Sequence, residues 1–63
     1  MVTDGMIAML DRLIELCDGS AVVTGIEIVC DALMNYSEDG WYMMSAAERD
    51  EWLRTEIAAN LDL

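Results

Sequence analysis

The side chains that could do chemistry in this chain are its carboxylates. The 63 residues include 13 acids against three arginines, with no lysine and no histidine, and the formal net charge is −10. Without histidine, no side chain titrates near pH 7 unless its surroundings shift its pKa. A catalytic carboxyl group would have to be buried to raise its pKa, whereas most of these acids fall on the polar faces of predicted helices. We therefore predict that the protein is not an enzyme.

The two cysteines do not change that prediction. A thiol nucleophile needs a nearby base or cation, and two cysteines do not make a disulfide framework. Cys17 and Cys30 both lie in apolar helical patterns. This placement predicts reduced thiols in the core and a cytoplasmic protein, in the cytoplasm of a host cell if the chain is viral.

One segment can be compared with a calcium-binding loop. Asn35, Ser37, Asp39 and Gly40 stand at positions one, three, five and six of the EF-hand pattern. Position twelve, where a glutamate closes the calcium site, is Ala46. We therefore predict a turn between helices at this segment, and neither a metal ion nor a cofactor.

The acids of the first two predicted helices lack neutralising neighbours. Asp11 and Glu15 are four residues apart, as are Glu27 and Asp31, and such like-charge pairs cost a few tenths of a kcal/mol. Asp18 sits at the end of a helix where an anion is unfavourable. One alternative is that these five acids form an ordinary solvated face. We favour the other, a surface that binds a partner.

The acids of the last predicted helix can be explained by structure alone. Glu48, Asp50 and Glu51 lie near its start, where the helix dipole favours negative charge. Asp50 and Glu51 are also spaced to pair with Arg54.

Two aromatic residues are the other candidate contacts. Trp41 and Tyr42 follow a turn signal, Asp39-Gly40. They could cover the core, or they could anchor a partner, since tryptophan and tyrosine are enriched among interface hot spots. Met43 and Met44 would extend such an anchor with an adaptable apolar patch.

The surplus negative charge restricts the class of partner. It disfavours direct binding to nucleic acid or to an anionic membrane and favours a basic protein surface. The 56% apolar content is high for so short a chain, so part of the apolar surface is expected to meet a partner or a second copy in a homodimer.

Three helices are predicted to position these residues. The first runs from Asp4, a candidate N-cap, to Cys17, before a candidate stop at Gly19. Its acids share one face, and its apolar residues recur at helical spacing: Met6, Leu10, Leu13 and Cys17, widened by Met9, Ile14 and Leu16.

The second predicted helix covers Ser20 to Tyr36, but its start is open. Thr24 and Glu27 are spaced as a capping box, so the helix could begin at Thr24, with a short strand at residues 22–23 before it. Glu27 and Asp31 belong to its polar stripe. Its apolar stripe is predicted to be Val22, Ile26, Val29, Leu33 and Tyr36.

The third predicted helix runs from Ala46 to Leu61, behind a Ser45-x-x-Glu48 capping box. Its apolar side is predicted to be Ala46, Leu53, Ile57 and Leu61, with Trp52 at the edge. Between the second and third helices, residues 37–44 are predicted to form an ordered loop, with a small hairpin as the alternative.

Together these elements predict an all-α protein, a single domain of three helices over residues 1–63. The first ten residues carry an acid and no basic region, so no signal peptide is expected. No uncharged apolar run approaches the ~20 residues that a membrane helix needs.

In size, charge and helicity, the whole chain resembles the small acidic proteins that phages use against host machinery, namely anti-CRISPR proteins and DNA mimics. The resemblance implies stoichiometric inhibition, in which carboxylates occupy the groove where nucleic acid normally docks. The residues that we expect to contact a partner are Asp11, Glu15, Asp18, Glu27, Asp31, Trp41 and Tyr42.

A rival interpretation gives the apolar faces the main role. The chain would then be a dimerising structural or regulatory helical module, or an antitoxin-like partner of a basic protein, and the acids would only keep it in solution. Binding through carboxylates weakens strongly with salt, whereas apolar binding does not, so the two interpretations are separable.

Overall fold

The computed structural model describes residues 1–17 and 25–61, which contain four helices: α1 (Asp4–Cys17), α2 (Gly25–Asn35), α3 (Glu38–Met43) and α4 (Ala46–Leu61). Neither of these two ranges contains a strand. The predicted all-α fold class is therefore confirmed. Several predicted features lie outside the described residues: the position of Asp18, the stop at Gly19, the helix start at Ser20, the apolar position of Val22, the strand at residues 22–23 and the Thr24 cap.

Thr3, and not the predicted Asp4, caps α1. The backbone N–H of Met6 donates to Thr3 Oγ1 at 3.1 Å, and the N–H of Ile7 donates to the Thr3 carbonyl at 3.0 Å. A threonine hydroxyl is among the side chains preferred at this position, although it ranks below a carboxylate. Asp4 becomes the first helical residue, where its charge still faces the positive end of the helix dipole.

Hydrogen bonds within a small polar cluster link the start of α1 to the start of α3. Thr3 Oγ1 donates to Glu38 Oε1 at 2.8 Å, and the hydroxyl of the half-buried Tyr36 donates to the same oxygen. Burial, reinforced by the hydrogen bond to Glu38, raises the pKa of Tyr36 to about 12. Gly5 makes this approach possible, because a Cβ there would overlap the Tyr36 hydroxyl.

The buried face of α2 differs from the predicted one. Ile28 and Ala32 are buried, whereas Ile26 is 81% exposed and Leu33 is 37% exposed. Of the predicted stripe, Val29 and Tyr36 do pack partly against the core. Most of the circumference of α2 is apolar, so its sequence pattern did not determine which side would face inward. The small side chain of Ala32 lets α2 pack closely against its neighbours, α1 and α4.

Residues 38–43 form a short helix, so the predicted loop and the alternative hairpin are both wrong for this segment. Ser37 caps it, since the backbone N–H of Gly40 donates to Ser37 Oγ at 3.2 Å. Glu38 and Asp39 occupy the first turn, where acids are favourable. A serine followed by two acids is a helix-start signal that outweighed the Asp39-Gly40 turn signal.

The predicted start of α4 is confirmed in detail. The backbone N–H of Ser45 donates to Glu48 Oε1 at 2.9 Å, and the N–H of Glu48 donates to Ser45 Oγ at 3.2 Å. These two bonds are the reciprocal pair of a capping box. Leu53 is buried as predicted, with Ile57 and Trp52 packed partly against the core, but Ala46 is exposed.

The core lies where α1, α2 and α4 meet, and α3 closes it. In α1 the fully buried side chains are Met9 and Leu13, whereas the predicted Met6 and Leu10 are only half-buried and Ile14 is exposed. The buried apolar residues are Met9, Leu13, Ile28, Ala32, Trp41 and Leu53. In the described part of the chain, no helix is long and apolar enough to span a membrane.

Candidate interaction surface

Three of the four acids of α4 are used by the fold, whereas Glu51 is exposed and has no side-chain partner among the described residues. Glu48 closes the capping box. The hydrogen bond from the Ser45 backbone N–H is the main cause that lowers the pKa of Glu48, and a hydrogen bond from the Ser45 side chain is the second. Glu56 is 9% exposed and accepts a hydrogen bond from Asn35 Nδ2 at 3.0 Å, which ties α4 to the end of α2. These carboxylates are satisfied within the protein and offer little to a partner.

The strongest ion pair joins α1 to α4. Arg12 Nε and Nη2 donate to the two carboxylate oxygens of Asp50 at 2.9 and 2.8 Å. This two-point contact is the geometry in which arginine binds a carboxylate best. The hydrogen bonds lower the pKa of Asp50 and raise that of Arg12. Glu15 Oε2 lies farther from Arg12, at 3.7 Å, so Arg12 compensates Glu15 only weakly.

Of the other two arginines, Arg49 acts on the neighbouring helix α3 and Arg54 acts within α4. Arg49 Nε donates to the Trp41 carbonyl at 2.8 Å, and its guanidinium lies over the Trp41 ring, 4.8 Å from the ring centre. Arg54 adds a weaker attraction on Asp50. The positive charge of the chain is therefore concentrated around α4 and its contacts with α1 and α3.

Of the two roles considered for Trp41, a cover over the core and an anchor for a partner, its position matches the first. Its side chain is 4% exposed and packs near Tyr36 and Trp52, with ring centres 6.2 and 6.4 Å away. The predicted use of Trp41 as a surface anchor does not match this position, because the ring is already enclosed by the core and by Arg49. Tyr42, the second predicted aromatic contact, is 58% exposed.

Four of the five singled-out acids are described, and all four are exposed: Asp11, Glu15, Glu27 and Asp31. Within residues 1–17 and 25–61, Asp11, Glu27 and Asp31 make no hydrogen bond or ion pair through their side chains. These carboxylates keep their full capacity to attract cations. Asp18, the fifth, lies outside the described residues.

A shallow groove runs beside the acids of α1. Its volume is about 300 Å³, and its walls include Asp11, Glu15 and the Arg12–Asp50 pair. Arg49 also lines the groove, so three carboxylates stand against two guanidinium groups and the groove is only slightly negative.

Exposed apolar side chains accompany the acids on α2, a feature that the sequence analysis missed. Ile26 and Met34 are 81% and 82% exposed, and Cys30 between them is also exposed. Glu27 and Asp31 each directly follow a member of this apolar row. The signal was present in the sequence, because residues 26, 30 and 34 are four apart, as are the two acids. Ile26 and the thiol of Cys30 had both been assigned to the core, and both assignments are wrong.

The arrangement can bind positively charged groups and, beside them, apolar side chains. In the described residues, no group of three or more histidine, cysteine or acidic side chains is arranged to hold a metal ion. The residues that the structure presents together on α2 are two acids and an apolar row.

Comparison with known proteins adds no relative. No family model, no curated protein and no solved structure matches the chain.

Proposed function

We propose that the protein is a small acidic inhibitor that binds a basic surface of a nucleic-acid-handling host protein or complex, in the manner of anti-CRISPR and DNA-mimic proteins. The observation that carries the proposal is the unequal pairing of charges. Arg12 and Arg49 are held in contacts within the fold, whereas Asp11, Glu27 and Asp31 are exposed and unpaired in the described part of the chain. A surface of this kind is complementary to lysine and arginine side chains.

The inhibitor would act by competition. Side chains that hold phosphates on nucleic acid are lysines and arginines, and carboxylates can occupy the same positions. Binding would be stoichiometric, with no chemical step. Long-range attraction between the −10 chain and a basic groove would accelerate the encounter. Tyr42, exposed on α3, is the aromatic side chain available for an additional contact.

A phage infection assay tests the proposal directly. The chain is expressed in bacteria whose CRISPR system restricts a phage, and plaques are counted. We expect the wild type to restore plaque formation, and the variant Asp11→Asn, Glu15→Gln, Glu27→Gln, Asp31→Asn to lose most of that effect. The comparison matched in charge is between two double variants: Glu27→Gln with Asp31→Asn on α2, and Asp39→Asn with Glu51→Gln, which removes two exposed acids from α3 and α4.

Two results would reject the proposal. One is a charge-neutral variant, shown by circular dichroism to be folded, that inhibits as well as the wild type. The other is failure of the wild type across CRISPR systems of several types, together with failure to displace nucleic acid from their purified effector complexes in mobility-shift assays.

The exposed apolar residues favour a second candidate, the dimerising or antitoxin-like helical module. Ile26, Met34 and Met43 each expose more than four fifths of their side chains. A module that binds through such residues would keep its affinity between about 50 and 200 mM salt, whereas binding through carboxylates would weaken strongly over that range. Sedimentation velocity on the free chain tests for the homodimer itself.

A further inference from the structure

The outer face of α2 combines two parallel rows of side chains. Ile26, Cys30 and Met34 form an apolar row with a spacing of four residues, and Glu27 and Asp31 form an acidic row beside it. Residues four apart on a helix form a continuous ridge, and by the rise per residue this ridge is about 12 Å long. All five side chains are exposed.

The charge of this face identifies its occupant. Within residues 25–35 there is no lysine or arginine. Arg12 and Arg49 are held by contacts among α1, α3 and α4, which leaves Arg54 on α4 as the one exposed cationic side chain against 13 acids. A second copy of the chain would bring another −10 charge and another acidic row against this face, which is repulsive. A helix with an apolar stripe beside lysines or arginines satisfies both rows at once.

We propose that the outer face of α2, defined by Ile26, Glu27, Cys30, Asp31 and Met34, docks a basic amphipathic helix of the partner. The inference rests on the proposed function, because it names the segment of the basic partner that the chain holds. It assigns the apolar contact to α2, which the comparison with DNA mimics does not. Two helices that pack through such ridges, as in a coiled-coil zipper, contact each other through anchors at helical spacing.

The test uses a synthetic probe. A fluorescein-labelled peptide about 18 residues long, built from leucine and lysine at helical period, forms a basic amphipathic helix of about five turns. A peptide of the same composition in alternating order, which favours a strand, is the sequence control. Fluorescence anisotropy at constant salt measures the affinity of each peptide for the folded chain.

We expect the helical peptide to bind more tightly than the alternating one. Ile26→Ser with Met34→Ser should weaken binding about tenfold or more, the size of effect typical of interface anchors. The matched apolar pair compares Met34→Ser alone with its control Met43→Ser, since Met43 on α3 is 86% exposed and Met34 is 82% exposed. The matched acidic pair compares Glu27→Gln, which should weaken binding, with its control Glu51→Gln. The two controls, Met43→Ser and Glu51→Gln, should bind the peptide within about twofold of the wild type, the range of a near-neutral interface position.

Three outcomes would overturn the proposal. The first is equal weakening by the α2 variants and their controls, which would mean attraction by net charge alone. The second is no preference for the helical peptide. The third is a wild-type dimer in sedimentation velocity that Met34→Ser dissociates, which would make a second copy the occupant.

The two proposals can fail separately. If the serine variants inhibit like the wild type while the four-acid variant does not, the docking proposal is wrong and the proposed function stands. If the peptide binds through α2 as expected but the wild type inhibits no system, the docking proposal stands and the proposed function is wrong.

Discussion

Helices α2 and α4 both carry acids and use most of them differently. On α4, Glu48 closes the capping box with Ser45 and Asp50 binds Arg12, while Glu51 stays exposed. On α2, Glu27 and Asp31 have no side-chain partner among the described residues. The difference teaches that net charge does not identify a binding acid. What separates the two helices is whether the protein itself neutralises the carboxylate, and each prediction below tests that separation.

The largest expected effect compares the inward side of α4 with the outward side of α2. Leu53 is fully buried, so Leu53→Ala should lower the free energy of unfolding by about 2–5 kcal/mol. Met34→Ala should change it by less than about 0.5 kcal/mol, because Met34 is 82% exposed. Urea denaturation followed by circular dichroism measures both. A large loss for Met34→Ala would mean that the outer face of α2 is already covered in the free protein.

A smaller loss is expected at the start of α4. Ser45→Ala removes the hydroxyl that accepts the Glu48 N–H, and loss of such a cap costs about 1 kcal/mol. Ser45→Asp preserves an acceptor and should recover most of the loss. If both variants unfold at the wild-type urea concentration, the capping box contributes nothing to stability and the contrast between α4 and α2 is weaker than described.

Acidification should remove the contribution of the α4 acids. Contacts in the folded protein lower the pKa of Glu48 below its ordinary 4.5 and that of Asp50 below its ordinary 3.8. Between the ordinary and the lowered pKa values, the unfolded chain binds more protons than the folded one. The stabilisation is therefore complete above the ordinary values and is lost as the pH falls from them through the lowered values. The free energy of unfolding, measured from pH 7 to pH 3, should fall less in Glu48→Gln with Asp50→Asn than in the wild type.

Much of this fold followed from the sequence because local signals agreed. The Ser45-x-x-Glu48 spacing gave the start of α4, and the apolar period gave the extent of α1. The α3 segment was missed because its serine cap and its Asp-Gly turn signal point to different structures. The serine cap and the two acids after it prevailed, and the segment also packs against Gly5 and the core.

The candidate surface was harder to predict for a related reason. The exposed acids of α1 and α2 were found, because a charged stripe identifies an outer face directly. The inner face of α2 was not, because apolar residues surround most of that helix and tertiary contact selected Ile28 and Ala32. Trp41 could not be assigned from sequence either, since a core lid and a surface anchor use the same residue type.

The smallest expected effect gives the sharpest test, because the same aspartate-to-asparagine change should alter the free energy of unfolding in opposite directions on α2 and α4. Asp31→Asn relieves repulsion with Glu27 one turn earlier, and Asp31 lies in the last turn and a half of α2, away from the favourable end of the dipole. The variant should raise the free energy of unfolding by a few tenths of a kcal/mol at low salt. Asp50→Asn makes the same chemical change on α4, but it removes the carboxylate that binds Arg12 and should lower stability. Added salt should shrink the Asp31 effect, because exposed charges are screened. If the two substitutions change the free energy of unfolding in the same direction, the acids of α2 and α4 do not differ in their contribution to stability. The distinction between structural and surplus acids would then not hold.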